Sequence, residues 1–147
     1  MEKALFRPLF IALSSGLFAQ LLKILFHLIK HKKFSFRPFA KTGGMPSSHT
    51  STVTSLSVAI GISEGFNSVL FDICTVFSLI IMYDAAGLRR SVGKQAVVLN
   101  KILEDIELRK HIGDTRIKEL LGHTPLEVIM GAILGMVWAF FWYFHKG

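Results

Sequence analysis

The chain is poor in cysteine and poor in charge. Cys74 is the single cysteine, which excludes an internal disulfide framework and a zinc site built on cysteine ligands. Only 18% of the 147 residues are charged, against roughly 25% in an average soluble domain, and this argues against an ordinary soluble enzyme. Acidic residues are the scarcer sign, 10 Asp and Glu against 17 Lys and Arg, for a formal charge of +7. Against these shortages stands a hydrophobic content of 51% and a mean hydropathy of +0.48, which excludes a disordered chain. The composition is that of an integral membrane protein. The length suits one domain, taken as residues 1–147.

Four apolar segments are legible. The first, about Leu9 to Ile29, is long enough to cross a hydrocarbon core roughly 30 Å thick at about 1.5 Å per residue. It is too long for a signal-peptide core and has no small-residue cleavage site after it, so it is read as retained. The second, about His49 to Ile62, is short and rich in Ser and Thr. It is expected to be the packed, lipid-shielded helix of the bundle. The third runs from about Val69 to Ala86. The fourth runs from Leu126 to Phe144, with Trp138, Trp142 and Tyr143 as interface anchors near its end. The expected architecture is an all-α bundle of about four transmembrane helices.

Four crossings place two basic stretches on one side of the membrane. Lys30, Lys32, Lys33, Arg37 and Lys41 lie in one. Arg89, Arg90, Lys94, Lys101, Arg109, Lys110, Arg116 and Lys118 lie in the other. The opposite side holds Lys3, Arg7 and Lys146, a bias of thirteen against three. The positive-inside rule then puts these loops in the cytoplasm and both termini outside, in a cell membrane. The basic balance follows juxtamembrane loops and matches no nucleic-acid-binding motif. No internal repeat or low-complexity tract is present.

The polar insert, about Gly87 to Gly122, contains VVLNKILEDIELRK. Val97, Val98, Ile102, Ile106 and Leu108 fall near one face at helical spacing. This is either an amphipathic helix on the membrane or against the bundle, or a solvated helix with an apolar face.

Three motifs fall at the basic end of the segments. In GGMPSSHTST, Gly43 to Thr52, two glycines permit close backbone approach. Pro46, Ser47 and Ser48 read as a helix start with His49 in the first turn. Such a terminus presents free N–H groups and positive potential to a phosphate, or it is simply a capped transmembrane helix of small residues. In YDAAGLRRSVGKQ, Arg89, Arg90 and Lys94 follow Asp84. Arginine holds phosphate with two parallel hydrogen bonds, although paired basic residues after a span are also a topology signal. Asp84 is a candidate to orient one arginine.

In ELLGHTPLEV, Glu127 stands four residues after His123, about one helical turn. The carboxylate can keep one imidazole nitrogen protonated and leave the other as a nucleophile. Thr124-Pro125-Leu126-Glu127 equally matches a capping box. Lys23, with Gln20 and His27 on the same face, is an ionisable residue inside a span. It either faces inward near the anion site or snorkels to the headgroups.

GGMPSSH, then Asp-x-x-Gly-x-Arg-Arg, then ELLGHTPLEV resembles the divergent branch of the type 2 phosphatidic acid phosphatase superfamily, which is related to vanadium-dependent haloperoxidases. The resemblance runs from Gln20 to Gly135. It implies a reduced core of that helical fold and no metal or other cofactor. By the same resemblance His123 is the nucleophile, Glu127 its orienting carboxylate and His49 the general acid. Ser47 and Ser48 bind phosphate through hydroxyl and backbone N–H, with Arg89, Arg90 and Lys94 as cations. Lys30-x6-Arg37-Pro38 fits the first superfamily motif, with Lys23 or Lys41 as other candidates for its charge.

The chain departs from the superfamily in four ways. Ser48 stands in place of a glycine and Glu127 in place of Asp. The arginine pair lies more than thirty residues before His123. Four spans are counted where the usual fold has six. The implied activity is hydrolysis of a lipid or polyprenyl phosphate or diphosphate through a phosphohistidine. The other readings are a non-catalytic membrane protein that binds anionic lipid or aids assembly, and a transporter or channel subunit. The expected partners are a lipid phosphate and membrane lipids, and the sequence is compatible with a homo-oligomer.

Overall fold

A computed structural model describes residues 7–31, 44–107 and 123–145. These form five helices and no strand: α1 (Pro8–His31), α2 (Ser48–Glu64), α3 (Val69–Ala86), α4 (Leu88–Glu107) and α5 (Pro125–His145). The boundaries follow local chemistry. Pro8 and Pro125 occupy first helical positions, where a missing N–H costs nothing. Ser47 and Ser68 cap α2 and α3 by accepting from the Thr50 and Phe71 N–H groups. Gly65, at φ +95°, ends α2 and opens the turn to α3. Gly87 alone separates α3 from α4, and its N–H donates to the Tyr83 carbonyl at 2.8 Å.

Three helices, α1, α3 and α5, are long and apolar enough to cross a membrane. α2, the shortest of the four helices that traverse the bundle, differs from these three. Its 17 residues reach only about 26 Å at 1.5 Å per residue, and Ser and Thr dilute its apolar character. It is instead the hub of the bundle, packed against α1, α3 and α5. The lipid-shielded role expected of the second segment holds.

The bundle is inside-out by the standard of a soluble protein. Leu9, Leu13, Leu17, Leu21 and Leu25 form an exposed ridge along α1, and most large side chains of α3 and α5 also face outward. Exposed apolar surface on this scale marks contact with lipid. The interior is small and polar, with Ser15, Thr50, Ser51 and Ser55 fully or almost fully buried. Ser15 and Ser51 share a hydrogen bond of 2.6 Å between α1 and α2. Ser57 and Ser78 share one of 2.8 Å between α2 and α3. Each is worth about 0.6 kcal/mol by the average for such contacts in a membrane protein.

Helix directions follow from these pairings. α2 runs antiparallel to α1 and α3 and parallel to α5, whose Gly131 and Gly135 lie against residues 47–50 and 51–55. The α1 C-terminus, the α2 N-terminus, the α3 C-terminus and the α5 N-terminus therefore share one end of the bundle.

Candidate active site

The site is set by how closely α5 approaches the start of α2. A Cβ on Gly131 would stand 2.5 Å from the Ser47 carbonyl oxygen, and one on Gly135 would stand 2.5 Å from that of Ser51. Only glycine admits such contact. It lets the Ser47 N–H donate to the Glu127 carbonyl at 3.0 Å, joining the two helix starts. Gly131, Gly135 and buried Ala139 repeat every four residues. This small-residue spacing was available in the sequence as a packing signal but was not singled out.

His123 precedes α5 and is 1% exposed. Its Nδ1 lies 3.1 Å from Glu127 Oε2. The same oxygen accepts the Thr124 N–H at 3.0 Å, and the Glu127 N–H donates to Thr124 Oγ1 at 3.3 Å. The two readings of this motif, capping box and histidine orientation, are thus both realised through one carboxylate oxygen. The cap fixes the carboxylate, and the carboxylate fixes the ring.

An ionised carboxylate only accepts, so Nδ1 carries the proton and Nε2 presents a lone pair. Nε2 is buried and has no hydrogen-bond partner among the described residues. Burial is the largest influence on this imidazole and holds its pKa below the ordinary 6.5. The hydrogen bond that Nδ1–H donates to Glu127 pulls it up, while the charges of Lys23 and His49 push it down. At neutral pH the ring is uncharged, with its lone pair on Nε2.

His49 lies in the first turn of α2, exposed, with its ring centroid 6.3 Å from that of His123 at an interplanar angle of 67°. Lys23 is 5% exposed, so it faces inward and does not snorkel. It interacts electrostatically with Glu127 and His123. Gly44, at φ +90°, passes over the Lys23 stem, and a Cβ there would be 3.9 Å from the Lys23 Cδ. Residues from α1, α2 and α5 thus converge on one point at the polar end.

The remaining candidates divide. Ser47, expected to hold phosphate through its hydroxyl and N–H, is fully buried. Its N–H serves the Glu127 carbonyl, and its Oγ accepts from Thr50 N and Thr50 Oγ1. Its place is therefore that of a cap that positions α2. Ser48 is buried on the inner side of α2, and its carbonyl accepts from Thr52 Oγ1 at 2.9 Å. Asp84 is half-buried in the last turn of α3, and Lys94 is exposed on α4. Arg89 and Arg90 fall in the first turn of α4, and Lys30 in the last turn of α1. The side chains of these three, like Arg37 and Lys41 entirely, lie outside the described residues. Among the described residues no three His, Cys, Asp or Glu side chains gather as metal ligands.

Comparison with known proteins agrees with this geometry in extent. The chain is similar to the uncharacterized membrane protein YuiD of Bacillus subtilis (strain 168), with 36% identity over 143 residues, 88% of this chain and 89% of the relative. No solved structure matches it. A family model described as Divergent PAP2 family matches residues 6–138, a stretch that takes in Lys23, His49, His123 and Glu127, helices α1 to α4 and the first two-thirds of α5. The chain belongs to the Divergent PAP2 family.

Proposed function

We propose that this membrane protein is a lipid-phosphate phosphatase that works through a phosphohistidine on His123 without a metal. The observation that carries the reading is the buried Nε2 of a histidine, without a partner among the described residues, whose other nitrogen is held by Glu127.

In the first step Nε2 attacks phosphorus of a bound phosphomonoester or diphosphate. An N–P bond forms, the P–O bond to the leaving group breaks, and protonated His49 delivers its proton to the departing oxygen. In the second step His49 takes a proton from water as its oxygen attacks phosphorus. The N–P bond breaks, phosphate leaves and His123 is restored. Glu127 keeps the Nδ1 proton in place throughout. Lys23 and the N-terminal amides of α2 stabilise the charge on the transferring group. Arg89, Arg90 and Lys94 supply further positive potential at the same end. A site at the end of a lipid-facing bundle favours an amphiphilic substrate such as phosphatidic acid, phosphatidylglycerophosphate or a polyprenyl diphosphate. The thirteen-to-three charge bias favours a cell-membrane location with this end in the cytoplasm.

The test is phosphate release from these three substrates in EDTA by purified wild type and His123→Ala. Release by wild type and its loss in the variant are expected. No release from any of them, or full activity in the variant, overturns the proposal. The reading as a non-catalytic anionic-lipid binder rests on Ser48 standing where the superfamily has glycine. It predicts lipid binding that survives loss of His49 and His123 but weakens on removal of Arg89 and Arg90.

A further inference from the structure

Apart from the positive potential of Arg89, Arg90 and Lys94, α4 has no role in the chemistry above, yet its surface is divided. Val92, Val98, Leu99, Ile102 and Ile106 are between 41% and 57% exposed and share one side of the helix at 3.6 residues per turn, with exposed Gln95 among them. Lys94 and Lys101, seven residues apart and both exposed, lie just beyond Val98 at one edge of this side. Gly93 and Ala96 are buried on the opposite side. The packed face of the helix therefore carries its buried small residues, and the five exposed aliphatic side chains point away from that face.

We infer that α4 lies in the plane of the membrane surface, with the Val92–Leu99–Ile102–Ile106 stripe in the acyl-chain boundary and Lys94 and Lys101 among anionic headgroups. Two features identify the occupant as lipid. First, α4 follows α3 after one residue, Gly87, and therefore begins where a membrane-spanning helix ends. The last turns of α3 expose Ile80 and Tyr83, at 60% and 81%, so the surface beside that junction is itself lipid-facing. Second, cations at the border of an apolar stripe are the arrangement by which an amphipathic helix binds an anionic bilayer. The inference stands whether or not the protein is a phosphatase.

The full chain carrying Cys74→Ala is reconstituted in phosphatidylglycerol–phosphatidylcholine vesicles. Single nitroxide labels are placed at residues 92, 99, 102 and 106, and at 94 and 101 as controls. Collision with oxygen should exceed collision with a water-soluble nickel chelate severalfold at the first four positions, and the ratio should invert at the two lysine positions. High chelate access along the stripe places it in water and overturns the inference. Low access to both reagents places it under protein, from this chain or a second copy, and overturns it equally. A diazirine dissolved in the bilayer tests the unsubstituted chain. Labelling of the 92–106 segment is expected, and its absence refutes the assignment.

Discussion

Replacing Glu127 by Gln separates an orienting carboxylate from a simple helix cap. The carboxylate oxygen at 3.1 Å from His123 Nδ1 and 3.0 Å from the Thr124 N–H makes two charge-assisted hydrogen bonds. Such bonds contribute about 1.5–3 kcal/mol and neutral ones about 1 kcal/mol. Exchange for an amide thus weakens the hold on Nδ1–H by about 1–2 kcal/mol, or about 5- to 30-fold in kcat/KM at about 1.36 kcal/mol per factor of ten.

The pH profile carries the decisive signature. His123 must be neutral to attack, so its protonation sets an acid limb below its ordinary 6.5. Because the Glu127 hydrogen bond raises this pKa against the larger effect of burial, Glu127→Gln should move the acid limb to still lower pH. Thr124→Ala removes only the cap, at about 1 kcal/mol of stability, and should leave the limb in place. Phosphate release from a lipid phosphate in micelles, followed from acid to neutral pH, measures both. An unmoved or raised limb in Glu127→Gln, with unchanged rate, would refute the role of the carboxylate.

Gly131→Ala puts a Cβ 2.5 Å from the Ser47 carbonyl. The resulting overpacking should cost about 1–3 kcal/mol, read as a lower melting temperature in detergent together with slower phosphate release. If both are unchanged, close contact between α5 and α2 does not position the site. Lys23→Met removes a charge that lowers the His123 pKa, so the acid limb should rise while orthovanadate inhibition weakens. A fall of the limb contradicts the placement of Lys23. His123 is held neutral by burial, so the folded state binds fewer protons than the unfolded one. The associated stability is complete above the unfolded pKa of about 6.5 and is lost as pH falls through the lower folded value. Thermal denaturation of wild type from pH 8 to 5 should show this decline and His123→Gln should flatten it, whereas parallel curves reject it.

Much of this was visible in the residues. The apolar stretches at 9–29, 69–86 and 126–144 lie within a few residues of the ends of α1, α3 and α5. Hydropathy reports burial in lipid directly, and proline and serine caps fix the starts. The meeting of His49 with His123 was expected from connectivity alone, because an even number of traverses returns the chain to the same end. Two things were not legible. One was the double use of Glu127. Spacing offered capping and imidazole orientation as rivals, and only the coordinates of one oxygen reveal that they cooperate. The other was the inward engagement of Ser47. It depends on Gly131, 84 positions later in the sequence, leaving room for a backbone contact that no local pattern encodes.

The clustering of all four helix termini at one end of an otherwise greasy cylinder makes the molecule vectorial. Solutes dissolved in water can approach the imidazole pair from one compartment only. The other side of the membrane meets the end of α2 and the turn to α3, which carry Ser63, Glu64 and Asn67 but neither imidazole. Orientation during insertion, more than the affinity of the pocket, therefore decides which pool of anions the protein ever encounters.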